Sequence, residues 1–370
     1  MRTRTLRGVR LNILRNVVWP LRDGGRAWPA LGLLALAGCA ATLDRAAFTR
    51  FDFTRPQMGV PFRIVLYAPD TVAASNAAHA AFARIAALNH IMSDYEDDSE
   101  LTLLAHTAGS GLAVKVSDDL WRVLDCGQSF AGRSDGAFDA TVGPVVQLWR
   151  RARRQHELPD PARLAAALQA VGYRKLMLDS RRHTAKLTVP GMRLDLGGIA
   201  KGYAVDEALK TLRAHGVTRA LVSGGGDMAA SNPPPGANGW RIEVAPLEAT
   251  NAPPRCFVLL KNCGLATSGD LFQYVELGGR RYSHIVDPRT GVGLTDHSLV
   301  TVLAPNGMTA DALSTAVSVL GPEAGLKLVD ATPHAAAHIV RKPGDQLEVF
   351  QSSRFKRFVA PPGGTARTSR

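Results

Sequence analysis

The chain has 370 residues, of which 46% are hydrophobic, so its composition excludes an intrinsically disordered protein and allows a sizeable core. Its net charge of +12 is concentrated at the ends, because residues 1–38 carry +6 and residues 351–370 carry +5. Since the part between them carries only about +1, the charge does not describe a nucleic-acid-binding face, and we expect no nucleic acid among the partners.

The N-terminal segment has the features of a bacterial lipoprotein signal. Arg-rich residues 1–26 precede an apolar stretch over 28–38 that is too short to span a bilayer. The stretch ends in Leu36-Ala37-Gly38-Cys39, which resembles the lipobox whose cysteine is diacylated. We therefore predict a signal peptide over 1–38 and a lipid anchor at Cys39, on a membrane of the cell envelope facing the periplasm. An ordinary signal peptide, or a buried helix with a chance cysteine, is the alternative.

The rest of the chain is predicted to contain both helices and strands. A tether over 39–56 and a strand over 63–68 come first. Hydrophobic spacing predicts helices over 71–92, 117–131, 159–171, 199–215 and 308–320, with a shorter helix capped by Asp98 or Ser99. Further strands are predicted over 186–189, 193–196, 219–223, 241–245, 257–260, 282–286, 299–303, 337–340 and 347–350. This mixture predicts an α+β fold, rich in antiparallel sheet, with one catalytic domain over 57–352 and a basic, disordered tail over 353–370.

The run 193–206 has two adjacent glycines between a predicted strand and a predicted helix. Asp195 precedes the glycines, and Lys201 follows them near the start of the helix. Bare backbone and a lysine at a helix N-terminus suit a phosphate or pyrophosphate. The carboxylate suits a hydroxyl, a ring nitrogen or a metal. A tight strand-to-helix turn without any ligand explains the same residues, so both interpretations stand.

Asp311 and Thr315 lie four residues apart in a predicted helix, so both side chains project from one face. A carboxylate and a hydroxyl so placed offer two hard oxygen ligands, which suit Mg²⁺ with water and phosphate completing its shell. The alternative is an aspartate that stabilises the helix dipole and a threonine that bonds back to its own backbone.

His284 lies in a dense polar motif, where a predicted strand runs into a proline-containing turn at 283–291. A histidine there can take a proton from a hydroxyl nucleophile near neutral pH, although a purely structural histidine also fits. Residues 136–144 combine small residues, an aromatic and an acid, which suits a flat ring. The glycines of 223–227 present bare backbone to a phosphate but lack dinucleotide or P-loop spacing.

The cysteines beyond position 39 do not have the spacing of a zinc or iron–sulfur site. Cys126 lies in an apolar helical pattern and is interpreted as a small core residue. Cys256 and Cys263 are seven residues apart across a predicted hairpin, and the sequence leaves open whether they form a disulfide.

The order of these motifs resembles the ApbE family of FAD:protein FMN transferases. The matching segments extend from about residue 57 to about residue 330, and they are 58–59, 92–101, 136–149, 195–206, 224–227, 267–270, 283–291 and 310–315. The resemblance implies an ApbE-like, T-fold-like catalytic domain with flanking helices. Many members of the family are lipid-anchored periplasmic proteins, in agreement with the lipobox.

The resemblance also implies site residues by their position. Mg²⁺ would be bound by the side chains of Asp311 and Thr315 and by the carbonyl of Gly198. Asp195 and Lys201 would contact FAD. The flavin nucleotide site would be lined by Met58, Tyr95, Ala137, Phe138, Asp139 and Ile285. His284 would be the base that activates the acceptor threonine.

The implied activity is Mg²⁺-dependent cleavage of FAD, covalent attachment of FMN to a threonine of a target protein, and release of AMP. Implied acceptors are membrane redox subunits, such as those of sodium-pumping NADH:quinone reductase or Rnf-type complexes, with a motif resembling Ser/Thr-Gly-Ala-Thr. One alternative is an FAD pyrophosphatase that passes FMN to water. The other is a flavin-binding lipoprotein without catalysis, which predicts loss of Asp311, Thr315 or His284, whereas all three are present.

Overall fold

The structure is a computed structural model that describes residues 48–247, 256–270 and 273–361. The predicted signal peptide, the lipidation site Cys39 and the last nine residues of the predicted tail lie outside the described residues, so these remain predictions. Within the described ranges, no helix combines the length and the apolar character that crossing a membrane requires.

Helices and strands are mixed along the described chain. The helices are α1 (Thr71–Met92), α2 (Glu100–Ala105), α3 (Asp118–Arg133), α4 (Gly143–Gln155), α5 (Pro161–Leu168), α6 (Ala200–Ala214) and α7 (Gly307–Asp330). The strands are β1 (Thr49–Gln57), β2 (Val60–Ala68), β3 (Val114–Lys115), β4 (Leu176–Asp179), β5 (Thr184–Leu187), β6 (Ala220–Gly224), β7 (Asp227–Ala230), β8 (Trp240–Glu243), β9 (Phe257–Leu260), β10 (Cys263–Gly269), β11 (Tyr274–Leu277), β12 (Arg280–Ser283), β13 (Val286–Asp287), β14 (Val292–Gly293), β15 (Ser298–Ala304), β16 (Ala336–Arg341) and β17 (Glu348–Gln351). The predicted α+β class is therefore confirmed.

Eight strands form one antiparallel sheet in the order β1-β2-β6-β7-β10-β15-β16-β17. Alternate side chains of each strand point to opposite faces. Ile64 and Val302 belong to the large core under α1, α6 and α7, whereas their neighbours Val65 and Leu303 belong to a smaller core with Trp240. The central part of the sheet is thus buried on both faces.

The longest helices start and end where their sequences provide caps. The carboxylate of Asp70 accepts the N–H of Ala73 at 2.8 Å and starts α1, and the buried side chains Phe82, Ile85 and Leu88 then follow at helical spacing. In α7, the backbone of Gly321 has a φ of 75° just before Pro322, so this helix is interrupted there. The first half of α7, which carries the predicted metal ligands, is a regular helix.

A third cluster of side chains joins α4 to the β11–β12 hairpin. Trp149 of α4 donates its indole N–H to the carbonyl of Gly291 at 2.7 Å and lies 5.1 Å from the ring of Tyr282. Val145 and Val275 are buried in the same cluster. This packing fixes α4 against the segment that contains His284.

Most elements that were predicted for the large sheet and its helices lie within a few residues of the predicted bounds, whereas α4, β7 and β10 were not predicted. Helix α1 and strand β9 have the predicted bounds, and Ser99, not Asp98, caps α2 through its hydroxyl. The predicted tether over 39–56 is wrong from residue 49 onward, because 49–57 pair with β2 as the edge strand β1. Polar and apolar residues alternate over Arg50-Phe51-Asp52-Phe53, as in an antiparallel strand with one solvated face, and Phe51 and Phe53 pack against the large core.

The predicted disordered tail is also wrong for its first part. Phe355 is fully buried in the smaller core and stacks on His338 at 5.0 Å. The guanidinium of Arg354 donates to three backbone carbonyls at the end of α7, among them that of Thr332 at 2.9 Å. The basic composition of the tail therefore does not predict the docked segment over residues 353–360.

Two shorter predictions fail for lack of a partner strand. Residues 193–196 form no strand, because their only ladder contact is a single bridge from Arg193 to Val142. Cys256 and Cys263 are free thiols and do not face each other across a hairpin, because β9 pairs with β8 while β10 pairs with β7 and β15.

Candidate active site

One end of the large sheet brings together motifs that are far apart in sequence. The two-residue turn Met58-Gly59 has φ values of 48° and 75°, and the turn Gly225-Gly226 has φ values of 62° and 102°. Because Phe62 pairs with Gly224, both turns lie at the same end of the sheet. Positive φ suits glycine but is strained for Met58, by roughly 1–3 kcal/mol, a cost that is found preferentially at functional sites.

Helices α6 and α7 cross closely next to this sheet end. A Cβ on Gly202 would lie 2.3 Å from the carbonyl oxygen of Gly307, so only glycine allows the observed approach. A Cβ on Gly198 would lie 2.7 Å from Oγ1 of Thr315, so the backbone before α6 contacts the side chain of Thr315. The structure therefore brings together the three predicted metal ligands Gly198, Asp311 and Thr315.

We expect Gly202→Ala to lower the free energy of unfolding, by roughly 1–3 kcal/mol, because the added methyl group must push α6 away from α7. Gly132→Ala in α3 is the matched control, since a Cβ there meets nothing within 4 Å. Removing that glycine from a helix should instead stabilise the protein by about 0.5–1 kcal/mol. Urea unfolding of both variants checks the pair, and equal stability of the two would contradict the close crossing.

The two helices also exchange caps. Asp206 of α6 accepts the N–H groups of Gly307 at 2.7 Å and Met308 at 2.9 Å, at the start of α7. Asp311 of α7 accepts the N–H of Gly202 at 3.0 Å, in the first turn of α6. Asp311 therefore does stabilise the N-terminus of a helix, as the alternative interpretation predicted. That helix is α6, however, and not α7, which carries Asp311. Burial raises the pKa of Asp206 to about 6.

Lys201 lies between two buried carboxylates. Its Nζ is 3.1 Å from Oδ2 of Asp227 and 3.9 Å from Oδ2 of Asp311, and it donates to the carbonyl of Gly197 at 2.9 Å. Burial alone would lower the pKa of Lys201, but the charges of Asp227 and Asp311 outweigh it and hold that pKa above its usual value. Lys201 is therefore a charged residue whose ammonium already has partners.

The same cluster has the donor set of a cation site. Asp227 and Asp311 are 3% and 2% exposed, and burial raises the pKa of both carboxyl groups. Two carboxylates facing one ammonium leave an excess of negative charge, which a divalent cation would neutralise. The oxygens of Asp311, Thr315 and Gly198 are the hard ligands that Mg²⁺ prefers, so the residues fit the predicted metal.

Asp195 is held by a network that centres on Arg150. The guanidinium of Arg150 donates to Asp195 at 2.7 Å and to Asp94, and it lies 4.4 Å from the centre of the Tyr95 ring. The other oxygen of Asp195 accepts the N–H of Gly197 at 2.8 Å. The Tyr95 side chain is 76% exposed, so its free ring face is available for stacking.

The loop at 137–139 contributes a rigid wall. Ala137 and Phe138 are buried, and the Phe138 ring packs edge-on against Phe130. The carboxylate of Asp139 accepts the N–H and hydroxyl of Thr141 and the N–H of Tyr173, at 2.7–2.8 Å. Both oxygens of Asp139 accept hydrogen bonds inside the protein. A ligand can therefore contact this loop only through the backbone of the loop.

His284 lies between β12 and β13, whereas the sequence predicted one continuous strand there. The carbonyl of Gln273 is 3.1 Å from Nδ1 of His284, and because a carbonyl only accepts, Nδ1 carries the proton and Nε2 keeps its lone pair. Burial lowers the pKa of His284 to about 4, with a further lowering from the charges of Arg153 and Lys201. The imidazole is therefore neutral at physiological pH and can accept a proton.

Several predicted site residues thus lie in one region of the structure, which also contains residues that the sequence did not predict. His284 is close enough to Lys201 and Asp195 for their charges to act on it, whereas Ile285 is buried beside it. Sequence reasoning did not single out Asp94, Arg150, Arg153, Asp206 or Asp227. Asp227 had a signal, because it ends the glycine run 224–226 and a two-residue turn with positive φ places it beside Lys201.

A surface groove of about 710 Å³ lies elsewhere, between the second half of α7 and strands β16 and β17. Its lysine and arginine are already paired, Lys327 with Glu323 at 2.9 Å and Arg341 with Glu348 at 2.7 Å. It contains none of the predicted site residues. The chemistry therefore points to the sheet end.

Comparisons with known proteins identify the family of this chain. The sequence model of the ApbE family matches residues 58–339. The chain is 32% identical over 278 residues to the FAD:protein FMN transferase of Haemophilus influenzae, covering 74% of this chain and 80% of that protein. It is 30% identical over 337 residues to the FAD:protein FMN transferase of Klebsiella pneumoniae, covering 88% and 94%.

A solved structure gives the same result for the fold. The flavin transferase ApbE from Vibrio cholerae aligns with a TM-score of 0.74 and 28% identity, over 84% of this chain and 99% of that one. The family match, the relatives and the α+β fold agree with the order of the motifs. The chain therefore belongs to the ApbE family and is a transferase.

Proposed function

We propose that this protein transfers FMN from FAD to a threonine of another protein, with Mg²⁺ as cofactor and AMP as the second product. The observation that carries the proposal is that Lys201, whose ammonium lies between Asp227 and Asp311, acts by its charge on the neutral base His284. A base, a cation-binding acidic cluster and a glycine-rich backbone match what phosphoryl transfer from a diphosphate to a hydroxyl requires.

The proposed reaction is a displacement at phosphorus. The acceptor hydroxyl oxygen attacks the phosphorus of the FMN half of FAD, while Nε2 of His284 takes the hydroxyl proton. The bond from that phosphorus to the bridging oxygen breaks, and the bridging oxygen leaves with AMP. The product is a phosphoester between FMN and threonine, and no group is oxidised or reduced.

Asp311, Thr315 and the Gly198 carbonyl would hold Mg²⁺. When bound, the ion neutralises charge on the diphosphate and on the leaving AMP. Lys201 keeps Asp227 and Asp311 close together through its contacts at 3.1 and 3.9 Å. One wall of the proposed site is formed by Asp195, which Arg150 holds in place, and by the open face of Tyr95. We place part of the FAD molecule against this wall.

The main alternative is hydrolysis, in which water replaces the acceptor hydroxyl. It uses the same residues, so only the products separate the two reactions. We propose that transfer dominates, because relatives that cover most of the chain are named FAD:protein FMN transferases. The state of His284 argues against a flavin-binding protein without catalysis, because the imidazole is neutral and carries its proton on Nδ1, which leaves Nε2 able to accept one.

The proposal is tested by product analysis. The purified protein is incubated with FAD and either MgCl₂ or EDTA, with and without an acceptor protein that carries a Ser/Thr-Gly-Ala-Thr-like motif. We expect AMP to form in MgCl₂ in proportion to the acceptor and to fall to background in EDTA. AMP and free FMN formed equally without the acceptor would assign hydrolysis, and no AMP under any condition would contradict an enzyme of FAD.

For its location, we propose a lipid anchor at Cys39 that faces the periplasm. The support is the apolar stretch that ends in Leu36-Ala37-Gly38-Cys39. Such an anchor would keep the enzyme near membrane-bound redox subunits, which we propose as its acceptors.

We expect Cys39→Ser to leave an unprocessed or soluble protein, because a serine offers no thiol for diacylation. Membrane fractionation and the intact mass of the protein check this. Cys126→Ser is the matched control, since Cys126 is a partly buried thiol on α3. If Cys39→Ser had the membrane partition and the mature mass of the wild type, the lipobox would be wrong.

A further inference from the structure

The second half of α4 carries four arginines, Arg150, Arg151, Arg153 and Arg154. They differ in their partners. Arg150 is paired with Asp94 and Asp195, and Arg151 donates to Gln155 at 2.7 Å on the exposed side. Arg154 is exposed. Arg153 is half-buried, and no carboxylate of the described residues forms a hydrogen bond or an ion pair with it.

The position of Arg153 follows from two anchors on α4. Arg150, three residues earlier and therefore on the same side of the helix, contacts Asp195 and the Tyr95 ring. Trp149, four residues earlier, contacts Gly291 and Tyr282 on either side of His284. Arg153 thus lies on the side of α4 between Tyr95 and the His284 segment, and we call the space between these two the cleft. Its charge acts on His284, and burial lowers its own pKa.

The other cations of the cleft are compensated. Lys201 has Asp227 and Asp311 beside it, and Arg150 has Asp94 and Asp195. The charge of each is therefore already neutralised by carboxylates, and neither is available to bind an anionic ligand. A guanidinium that is partly removed from water without a carboxylate partner is costly, and an anion that enters the cleft relieves this cost.

We propose that Arg153 binds a phosphate group of FAD and is a substrate-binding residue of the transfer reaction. This inference rests on the proposed function, which supplies a diphosphate as the anion. The planar guanidinium can donate two parallel hydrogen bonds to phosphate oxygens. It would neutralise charge on the side of the diphosphate that faces His284.

Binding measurements separate this role from others. FAD and riboflavin are titrated by flavin fluorescence in MgCl₂, without acceptor, against the His284→Ala protein, in which turnover is expected to be slow. The same titrations use proteins that carry Arg153→Ala, Arg153→Lys or Arg154→Ala in addition. We expect Arg153→Ala to weaken FAD binding about 10- to 100-fold and to leave riboflavin binding unchanged, because riboflavin has no phosphate. Arg153→Lys should restore part of the loss, and Arg154→Ala should have no effect.

A second readout uses the protein with His284 intact. Because the charge of Arg153 lowers the pKa of His284, Arg153→Ala should move the acidic limb of the kcat/KM profile to higher pH, whereas Arg154→Ala should not. Normal FAD affinity in Arg153→Ala would overturn the proposal, and a rise confined to the KM for the acceptor would assign Arg153 to acceptor binding instead. Failure of the His284→Ala parent and of the wild type to bind FAD would overturn the proposed function itself.

Discussion

His284→Ala is expected to bind FAD but to transfer FMN about 10²- to 10⁴-fold more slowly, because the acceptor hydroxyl loses the group that takes its proton. Nε2 is the free nitrogen, since Nδ1 donates to the carbonyl of Gln273 at 3.1 Å. Single-turnover transfer measures the rate, and flavin fluorescence measures the binding. The loss should appear in turnover and not in affinity.

His79→Ala is the matched control, because His79 is an exposed residue of α1 away from the cleft. It should transfer FMN at the wild-type rate. If His284→Ala lost FAD affinity and thermal stability in parallel, the histidine would be structural. If it kept the full transfer rate with normal binding, His284 would not be the base, and a metal-bound water would become the group to test.

The same residue sets the expected pH dependence. A base must be neutral to act, and burial lowers the pKa of His284 to about 4. The kcat/KM for transfer should therefore rise with pH through the region near 4 and stay level from pH 6 to 8, as far as His284 determines it. A rise in kcat/KM centred near the ordinary histidine pKa of about 6.5 would contradict a buried imidazole.

Asp311→Asn is expected to reduce transfer by roughly 10²- to 10³-fold and to raise the Mg²⁺ concentration needed for activity, because the metal loses its charged ligand. Asparagine is preferable to alanine because its amide oxygen can still accept the N–H of Gly202, which Asp311 holds at 3.0 Å. Alanine would leave that buried donor unsatisfied and confuse a fold defect with a metal defect.

Asp330→Asn is the control for Asp311→Asn, since Asp330 is an exposed aspartate at the end of the same helix. Mg²⁺ titrations of single-turnover transfer compare the two variants at equal thermal stability. Wild-type rate and unchanged Mg²⁺ dependence in Asp311→Asn would place the metal elsewhere.

The fold was predictable where local signals and burial agree. Helix α1 has its cap, Asp70, and a regular series of buried side chains, so its bounds follow from sequence. The edge strand β1 was missed although it forms a hairpin with the next strand, β2, and the docked Phe355 was missed because residues far away in sequence form the smaller core that buries it. Local composition carries little information about such contacts, and tertiary packing decides them.

The site was predictable as a set of motifs and not as a set of contacts. Asp311 and Thr315 follow from helical spacing, but the proximity of Gly198 to Thr315 depends on the crossing of α6 and α7. The roles of Lys201 and Asp195 needed the structure, since their ion pairs with Asp227 and Arg150 join segments more than 20 residues apart. A free lysine beside the glycines was the simplest phosphate ligand by sequence, whereas the cleft cation that has no carboxylate partner among the described residues is Arg153, on another helix.

The proposed reaction forms a covalent bond between FMN and a threonine of the acceptor. The most direct measurement is the intact mass of a purified acceptor after incubation with the enzyme, FAD and MgCl₂, followed by fragmentation to locate the modification. We predict a mass gain equal to FMN less one water, located on the threonine of the acceptor motif, with one AMP released per modified acceptor. An acceptor of unchanged mass in a reaction that still converts FAD into free FMN and AMP would contradict the claim.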